Sequence, residues 1–384
     1  MNRRQFLQGA SAVSVLVAGG AVWRAYDRGV FTADRGTPFE PWTTWRGDAA
    51  EGPLALVRAA ILASNAANSQ PWLFHVTDST IDLFADQHRN LGAFDPFLRE
   101  MHISVGCALE NLLLAAAAHG YQTSLTVFSG VIGPVARVQL AHGEPSQSDL
   151  YDAIPNRHTN RAPFDRARVI EASFVDELTR LSNVDDKAKL FLFSDDAQRS
   201  KIVARIAAAG GVLASHSEIQ AGAGRMIHAD WHELHAHRDG LTFGDFGESP
   251  MRTAMERFFP PSVLRAITPR PSLAAYADVM STGRLFGLIA VRDRYDRADS
   301  VRAGRVWQRA HLLATARGLA ARPANQSVEL IDHERVWGKE PLEAAALAEL
   351  TGDASWQPTF MFFMGYATRD AKPTARRGVH EVMV

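Results

Sequence analysis

Apolar positions change their spacing along the chain in a way that marks out its elements. From Leu54 to Ala63 they recur at helical spacing, and Trp72–Val76 and Thr80–Phe84 are short runs of strand type. Ser104–His119 is a long apolar stretch of helical period closed by Gly120, a residue suited to the left-handed cap that ends a helix. Thr123–Phe128 and Ala136–Leu140 read as strands. After Pro145 a second series begins, with a helix at Val169–Leu181, a strand at Lys189–Phe193 and a helix-rich stretch from about Ala197 to Tyr276. It continues with a strand at Leu285–Val291, a helix at Ser300–Ala316 ended by Gly318, a strand at Val328–Ile331, a helix at Leu342–Leu350 and a strand at Thr359–Met364. Two stretches interrupt these patterns. Residues 24–53 are punctuated by Pro38, Pro41, Gly47, Gly52 and Pro53, with Phe39, Trp42 and Trp45 between them, and read as a tether packed on the surface. Arg238–Pro250 is rich in glycine and polar residues and reads as a loop or lid.

The two series echo each other. The helix of Ser104 lines up with that of Ser300 so that Gly106 falls on Gly304 and Gly120 on Gly318 without a gap. The order of helix, strand, helix, glycine, strand repeats around them. Two related halves explain this, the first abbreviated; chance similarity of two Ala/Leu-rich helices is the alternative.

Composition narrows the class. The 384 residues are 46% hydrophobic and 22% charged, which excludes a disordered, collagen-like or polytopic membrane protein. Forty-one Lys and Arg against forty-two Asp and Glu give a formal charge of -1, so no global basic field exists to hold nucleic acid. A single cysteine, Cys107, allows no intrachain disulfide. At the amino end Arg3 and Arg4 precede fifteen uncharged residues, Gly9–Trp23, too few for a spanning helix of about 20. A basic start before a short apolar run fits an export signal, and Arg3-Arg4-Gln5-Phe6-Leu7 resembles the twin-arginine type. Residues 1–23 are therefore expected to be a signal or anchor, placing the protein in the periplasm or at the membrane, or in the cytoplasm if the signal is unused. A basic start on an amphipathic helix is the alternative. The twin-arginine route carries folded, cofactor-bearing proteins, so the resemblance implies a cofactor.

Two segments carry candidate chemistry. Ser64-Asn65-Ala66-Ala67-Asn68-Ser69-Gln70-Pro71-Trp72 joins a helix to a strand, and its amides and hydroxyls can donate and accept along the mixed edge of a heterocycle. An Asn-rich turn at a helix end explains the same spacing. Arg157-His158-Thr159-Asn160-Arg161 places two guanidinium forks and a hydroxyl where they can converge on a phosphate; a solvated basic turn is the blander meaning.

Together these segments resemble the FMN-dependent nitroreductase family, in which an Arg-x-Ser-x-Arg element binds the flavin phosphate and a Pro-Ser-x-x-Asn-x-Gln-Pro-Trp element lies against the isoalloxazine. Arg157–Arg161 matches the first, with Thr159 for serine, and Asn68–Trp72 the second, while Ser64-Asn65 replaces Pro-Ser. The tail from Pro373 through Arg376 and Arg377 to Val382 is similar to the family's basic C-terminal element. The resemblance is closest to the Acg-like branch, with two nitroreductase-like halves in one chain. It implies an α+β, nitroreductase-like fold of two related halves, residues 54–150 and 151–384, each a mostly antiparallel sheet flanked by helices, with a lid near 238–261. It further implies FMN as cofactor, held by Arg157, Thr159, Arg161, Asn68, Gln70, Ser64, Asn65, Arg376 and Arg377. The two incomplete motif sets complement each other once, so one FMN per chain is expected, in a monomer. No catalytic side chain is called for, since the flavin carries the hydride. A quinone-like or nitroaromatic acceptor and a nicotinamide donor follow from the family; a lidded protein that stores flavin is the alternative. A third reading comes from His228, His232 and His235, one helical face able to hold a metal, although the His-Glu-x-x-His order is absent.

Overall fold

The computed structural model describes residues 20–31, 35–47, 51–130, 132–182, 186–228, 231–247, 249–259 and 273–384. The expected signal lies outside them up to residue 19, as do Pro260 and Pro261 of the expected lid. Helix α1 (Leu54–Ala60) precedes strands β1 (Trp72–Val76) and β2 (Thr80–Ala85), helix α2 (Arg99–Ala118), and strands β3 (Tyr121–Val127) and β4 (Ala136–His142). These four strands form an antiparallel sheet of order β1-β2-β4-β3. In β4 the buried Ala136, Val138 and Leu140 alternate with the exposed Arg137, Gln139 and Ala141, the period-two pattern of a half-covered strand.

Helices α3 (Asp149–Ala153) and α4 (Ala172–Ser182) lead to β5 (Ala188–Phe193), followed by α5 (Asp196–Ala214), α6 (Ser217–Gly224), α7 (Trp231–His237), α8 (Pro250–Phe258) and α9 (Leu273–Ser281). Then come β6 (Leu285–Val291), α10 (Arg297–Ala316), β7 (Ala320–Pro323), α11 (Gln326–Val336), α12 (Leu342–Thr351) and β8 (Gln357–Gly365). The second antiparallel sheet has the order β5-β6-β8-β7. Counted within each sheet, the two orders are the same, and each sheet inserts a twenty-residue helix between its second and third strands. The α+β architecture of two halves, each an antiparallel sheet flanked by helices, agrees with the reading from the sequence.

The halves meet along α2 and α10. A Cβ on Gly106 would lie 2.1 Å from the Val301 carbonyl oxygen, and one on Gly304 would lie 2.0 Å from that of Ile103. The crossing is thus backbone on backbone, and only glycine permits it. One apolar cluster runs across this seam, joining Leu56, Phe74 and Leu109 to Leu285, Val301 and Trp307. All of β6 is buried: Leu285, Ile289 and Val291 face that cluster, whereas Phe286 and Leu288 face a second one beneath α5 and α11.

The expected strand at Val328–Ile331 is instead part of α11. A short apolar run does not distinguish strand from buried helix, and the helical face here is disguised by buried ionic groups. Arg99 donates to Asp332 at 2.8 Å, Arg294 donates to the same carboxylate at 2.9 Å, and Asn325 donates to Glu100 at 3.0 Å. Asp95 caps α2 by accepting from the Glu100 and Met101 amides. Glu329 sits beside this cluster and makes no ion pair of its own among the described residues. Burial first, then the Glu100 charge, pushes its carboxyl up to about 8. The folded chain therefore keeps a proton that the unfolded chain releases near pH 4.5, and stability from this group is lost as pH rises from about 4.5 to 8. Glu329→Gln should remove that loss, so its stability advantage over the parent should grow across the window. Denaturant melts at both ends check this; an advantage independent of pH would refute the buried neutral carboxyl.

Candidate functional site

Between the halves lies a cavity of about 470 Å³. One wall is the loop before β1. Three of its non-glycine residues adopt left-handed backbone, Ala67 at φ 49°, Asn68 at 55° and Gln70 at 49°. Such conformations persist only where surroundings impose them, and cluster at functional sites. Here the partners are plain. The Asn65 side chain accepts from the Gln70 amide at 2.8 Å, Asn68 Nδ2 donates to the Gly240 and Ala375 carbonyls at 2.8 and 2.9 Å, and Gln70 Nε2 donates to the Arg238 carbonyl at 2.9 Å.

Ser64, Asn65, Asn68, Arg157, Thr159, Arg161 and Arg376 all line the cavity. The structure thus brings the loop of one half together with the basic segment and tail of the other. Gln70 and Arg377 do not line it. They brace its back: the Arg377 amide donates to Gln70 Oε1 at 2.8 Å, and its guanidinium reaches the Gln70 carbonyl and the Glu381 carbonyl.

Arg157 and Arg376 set the electrostatics. Each is 2% exposed and neither makes an ion pair among the described residues. Arg157 donates to the Leu62 carbonyl at 3.1 Å, and Arg376 donates to Asn68 Oδ1, to Thr374 Oγ1 at 2.6 Å and to the Ala63 carbonyl at 3.2 Å. The Nε of each is buried without a partner. Burial pulls Arg157 down to about 10, and burial together with the Arg157 charge pulls Arg376 well below its ordinary value. Arg161 is lowered by burial and by Arg322, and donates to the Asp245 carbonyl at 3.0 Å. Two desolvated cations side by side are unfavourable until an anion joins them.

Several lining or supporting groups were not legible as site residues. His311, on α10, donates from Nε2 to the His158 carbonyl at 3.3 Å, which leaves Nδ1 to accept from Ser64 Oγ at 3.2 Å and from Arg157 at 3.5 Å. Burial and the Arg157 charge hold His311 neutral, and His158 is pushed down to about 3 by burial and the two arginines. Nothing in the apolar run around His311 signals this role.

The remaining lining is mixed. Val30 and Phe39 of the amino-terminal segment, Leu234 of α7, Leu241 and Ala254 supply apolar surface beside the polar Thr242, Asp245, Thr253, Arg257, Arg369, Asp370 and Lys372, and Leu241 through Gly247 fall in the expected lid. Gly247 fits against the Arg161 carbonyl, where a Cβ would come to 2.4 Å. The histidines of α7 and its approach disperse: His228 pairs with Asp239 at 2.8 Å, His232 with Asp27 at 3.3 Å, and His235 tilts against Trp231. Among the described residues no group of three or more metal-binding side chains gathers.

No family model matches the chain. Part of it is 33% identical over 164 residues to an uncharacterized protein of Mycobacterium tuberculosis, covering 38% of this chain and 46% of that one. Part is 30% identical over 148 residues to the "Putative NAD(P)H nitroreductase acg" of the same organism, covering 36% and 43%. The chain thus spans less than half the length of the curated relatives it matches. Among solved structures, a nitroreductase with bound FMN from Desulfitobacterium hafniense aligns at a TM-score of 0.36 and 10% identity, covering 60% of this chain and 95% of that one. The FMN-dependent nitroreductase NfnB of Mycobacterium smegmatis, in complex with NADPH, aligns at 0.35 and 14%, covering 61% and 96%.

Proposed function

We propose that the chain is an FMN-binding oxidoreductase of nitroreductase type, an internal repeat of two halves that holds one flavin per chain in this cavity and works as a monomer. The observation that carries the reading is the pair of buried arginines, Arg157 and Arg376, which make no ion pair among the described residues and stand at one side of a cavity to which Val30, Phe39, Leu234 and Leu241 lend apolar surface. Such a site suits a ligand with a phosphate at one end and a planar ring system at the other. The orphaned Nε atoms fit the same group. In this reading Arg157, Arg161 and Arg376 neutralise the phosphate, Thr159 offers a hydroxyl, and Ser64, Asn65 and Asn68 address polar atoms of the ring and ribityl chain. Gln70 and Arg377 keep that wall in place. FMN, when bound, supplies hydride transfer through N5. The protein binds, orients and excludes water. The names of the relatives support a nicotinamide donor, and a quinone-like or nitroaromatic compound is the acceptor we expect. Export through residues 1–23 remains part of the proposal.

The expected lid segment, which lines the cavity at Leu241, Thr242, Gly244, Asp245 and Gly247, favours one second reading, a flavin store closed to outside donors. Spectroscopy separates the two. Purified protein should show a flavin spectrum at one flavin per chain, and two per chain would overturn the shared site. Anaerobic bleaching by NADPH and reoxidation by a quinone support the enzyme, whereas a bound flavin that no nicotinamide reduces supports storage. Arg161→Ala should weaken FMN by about tenfold, the lower end of what a charge-assisted contact is worth, with little change in melting temperature. Full flavin content in this variant would remove Arg161 from the phosphate site.

A further inference from the structure

The amino-terminal segment is more than a tether. Residues 20–27 are helical, and a turn at Glu40–Thr43 follows further on. Its described residues, 20–31 and 35–47, are fastened to the site and to the elements around it. Arg24 donates to the Phe258 carbonyl at 2.8 Å, and Arg257 donates back to the Gly29 carbonyl at 3.1 Å. Phe39 stacks on Trp231, and the Pro38 carbonyl accepts from the Arg376 amide at 2.7 Å. Trp42 Nε1 donates to the Thr374 carbonyl at 2.8 Å, and Trp45 packs on Tyr151.

Trp42 occupies the decisive place. Its indole lies 5.9 Å from the Arg157 guanidinium and 4.7 Å from that of Arg376, with His158 set edgewise at 4.5 Å. It is 7% exposed and lies behind the cavity lining. The negative face of an indole attracts cations most strongly where water is excluded. No carboxylate among the described residues forms an ion pair with either guanidinium; the indole faces both, and its ring N–H pins the Thr374 carbonyl beside them.

We propose that Trp42 is a positioning residue for the arginine pair, and that residues 35–45 are a strap forming part of the anion site. The choice of flavin probes rests on the FMN reading, but the strap assignment does not. A strap residue that acts through the arginines must affect a phosphate-bearing ligand more than its phosphate-free counterpart. A residue that merely fills space affects both alike.

The experiment is a titration of the full-length protein with FMN and with riboflavin, followed by flavin fluorescence, for the parent, Trp42→Met and Trp42→Phe. Trp42→Met should weaken FMN about tenfold, the size a desolvated cation–π contact supports, and riboflavin less than about twofold. Trp42→Phe keeps a weaker π face and should move the FMN-to-riboflavin ratio about threefold. If Trp42→Met does not fold, Trp42→Phe decides alone: an unmoved ratio overturns the proposal. Equal weakening of both ligands also overturns it. If the parent binds neither flavin, the FMN reading fails, and inorganic phosphate becomes the probe. Phosphate that raises the melting temperature of the parent and not of Trp42→Phe upholds the strap; an equal response, or none in the parent, refutes it.

Discussion

Arg157→Met should empty the site while leaving the ligand-free protein as stable as its parent or more so. The two halves of this expectation come from the same fact. Arg157 is 2% exposed, has no acid partner and is drawn down to about 10 by burial. Removing it deletes a desolvated charge, and methionine fills most of the space with a flexible apolar chain. The bound anion, in contrast, loses a charge-assisted donor worth about 3 kcal/mol, or about a hundredfold in affinity. FMN titration and melting of the flavin-free proteins read the two effects separately. A variant that melts far below its parent, with flavin content intact, would make Arg157 a structural residue.

Gly304→Val should prevent folding. The smallest added carbon would lie 2.0 Å from the Ile103 carbonyl oxygen and 3.0 Å from Gly106 Cα, both main-chain atoms that cannot rotate away. Forcing α2 and α10 apart opens the seam along which both halves share their core, so a loss of at least about 3 kcal/mol is expected. Gly106→Val should do the same, because the contact is reciprocal. Gly210→Ala is the control. It lies inside α5, where an added Cβ meets only the flexible Gln326 side chain at 3.4 Å, and should stabilise by about 0.5–1 kcal/mol. Soluble yield and denaturant melts measure all three. A well-folded Gly304→Val protein would show that the helices can cross elsewhere.

Most of the sheet framework was legible because its strands obey simple periods. β1, β2, β4 and β6 stand where alternation or a continuous apolar run placed them. α11 was misread because its buried Glu329, Asp332 and His333 interrupt the apolar face that would have marked a helix. The candidate site was legible in its residue types. Amides before β1 and arginines around Thr159 are visible in one dimension, and the fold brings them to one cavity. Trp42 and His311 were not legible as site residues. A tryptophan among prolines reads as surface packing, and a histidine in an Ala/Leu helix reads as core. Their roles depend on neighbours more than a hundred residues away, which local pattern does not encode. The distinction between Arg376, which lines the cavity, and Arg377, which faces away from it, likewise depends on the backbone of the tail.

The reciprocal glycine crossing also orders events during synthesis. Ile103 and Gly106 find their partners only after Val301 and Gly304 have been made, so the first half waits for most of the second. Contacts so distant in sequence make for slow, late closure. The loop at Asn68 meets Arg376 later still, since that residue follows Gly304 in the chain. A ligand present while the chain closes can therefore be enclosed as the two halves come together.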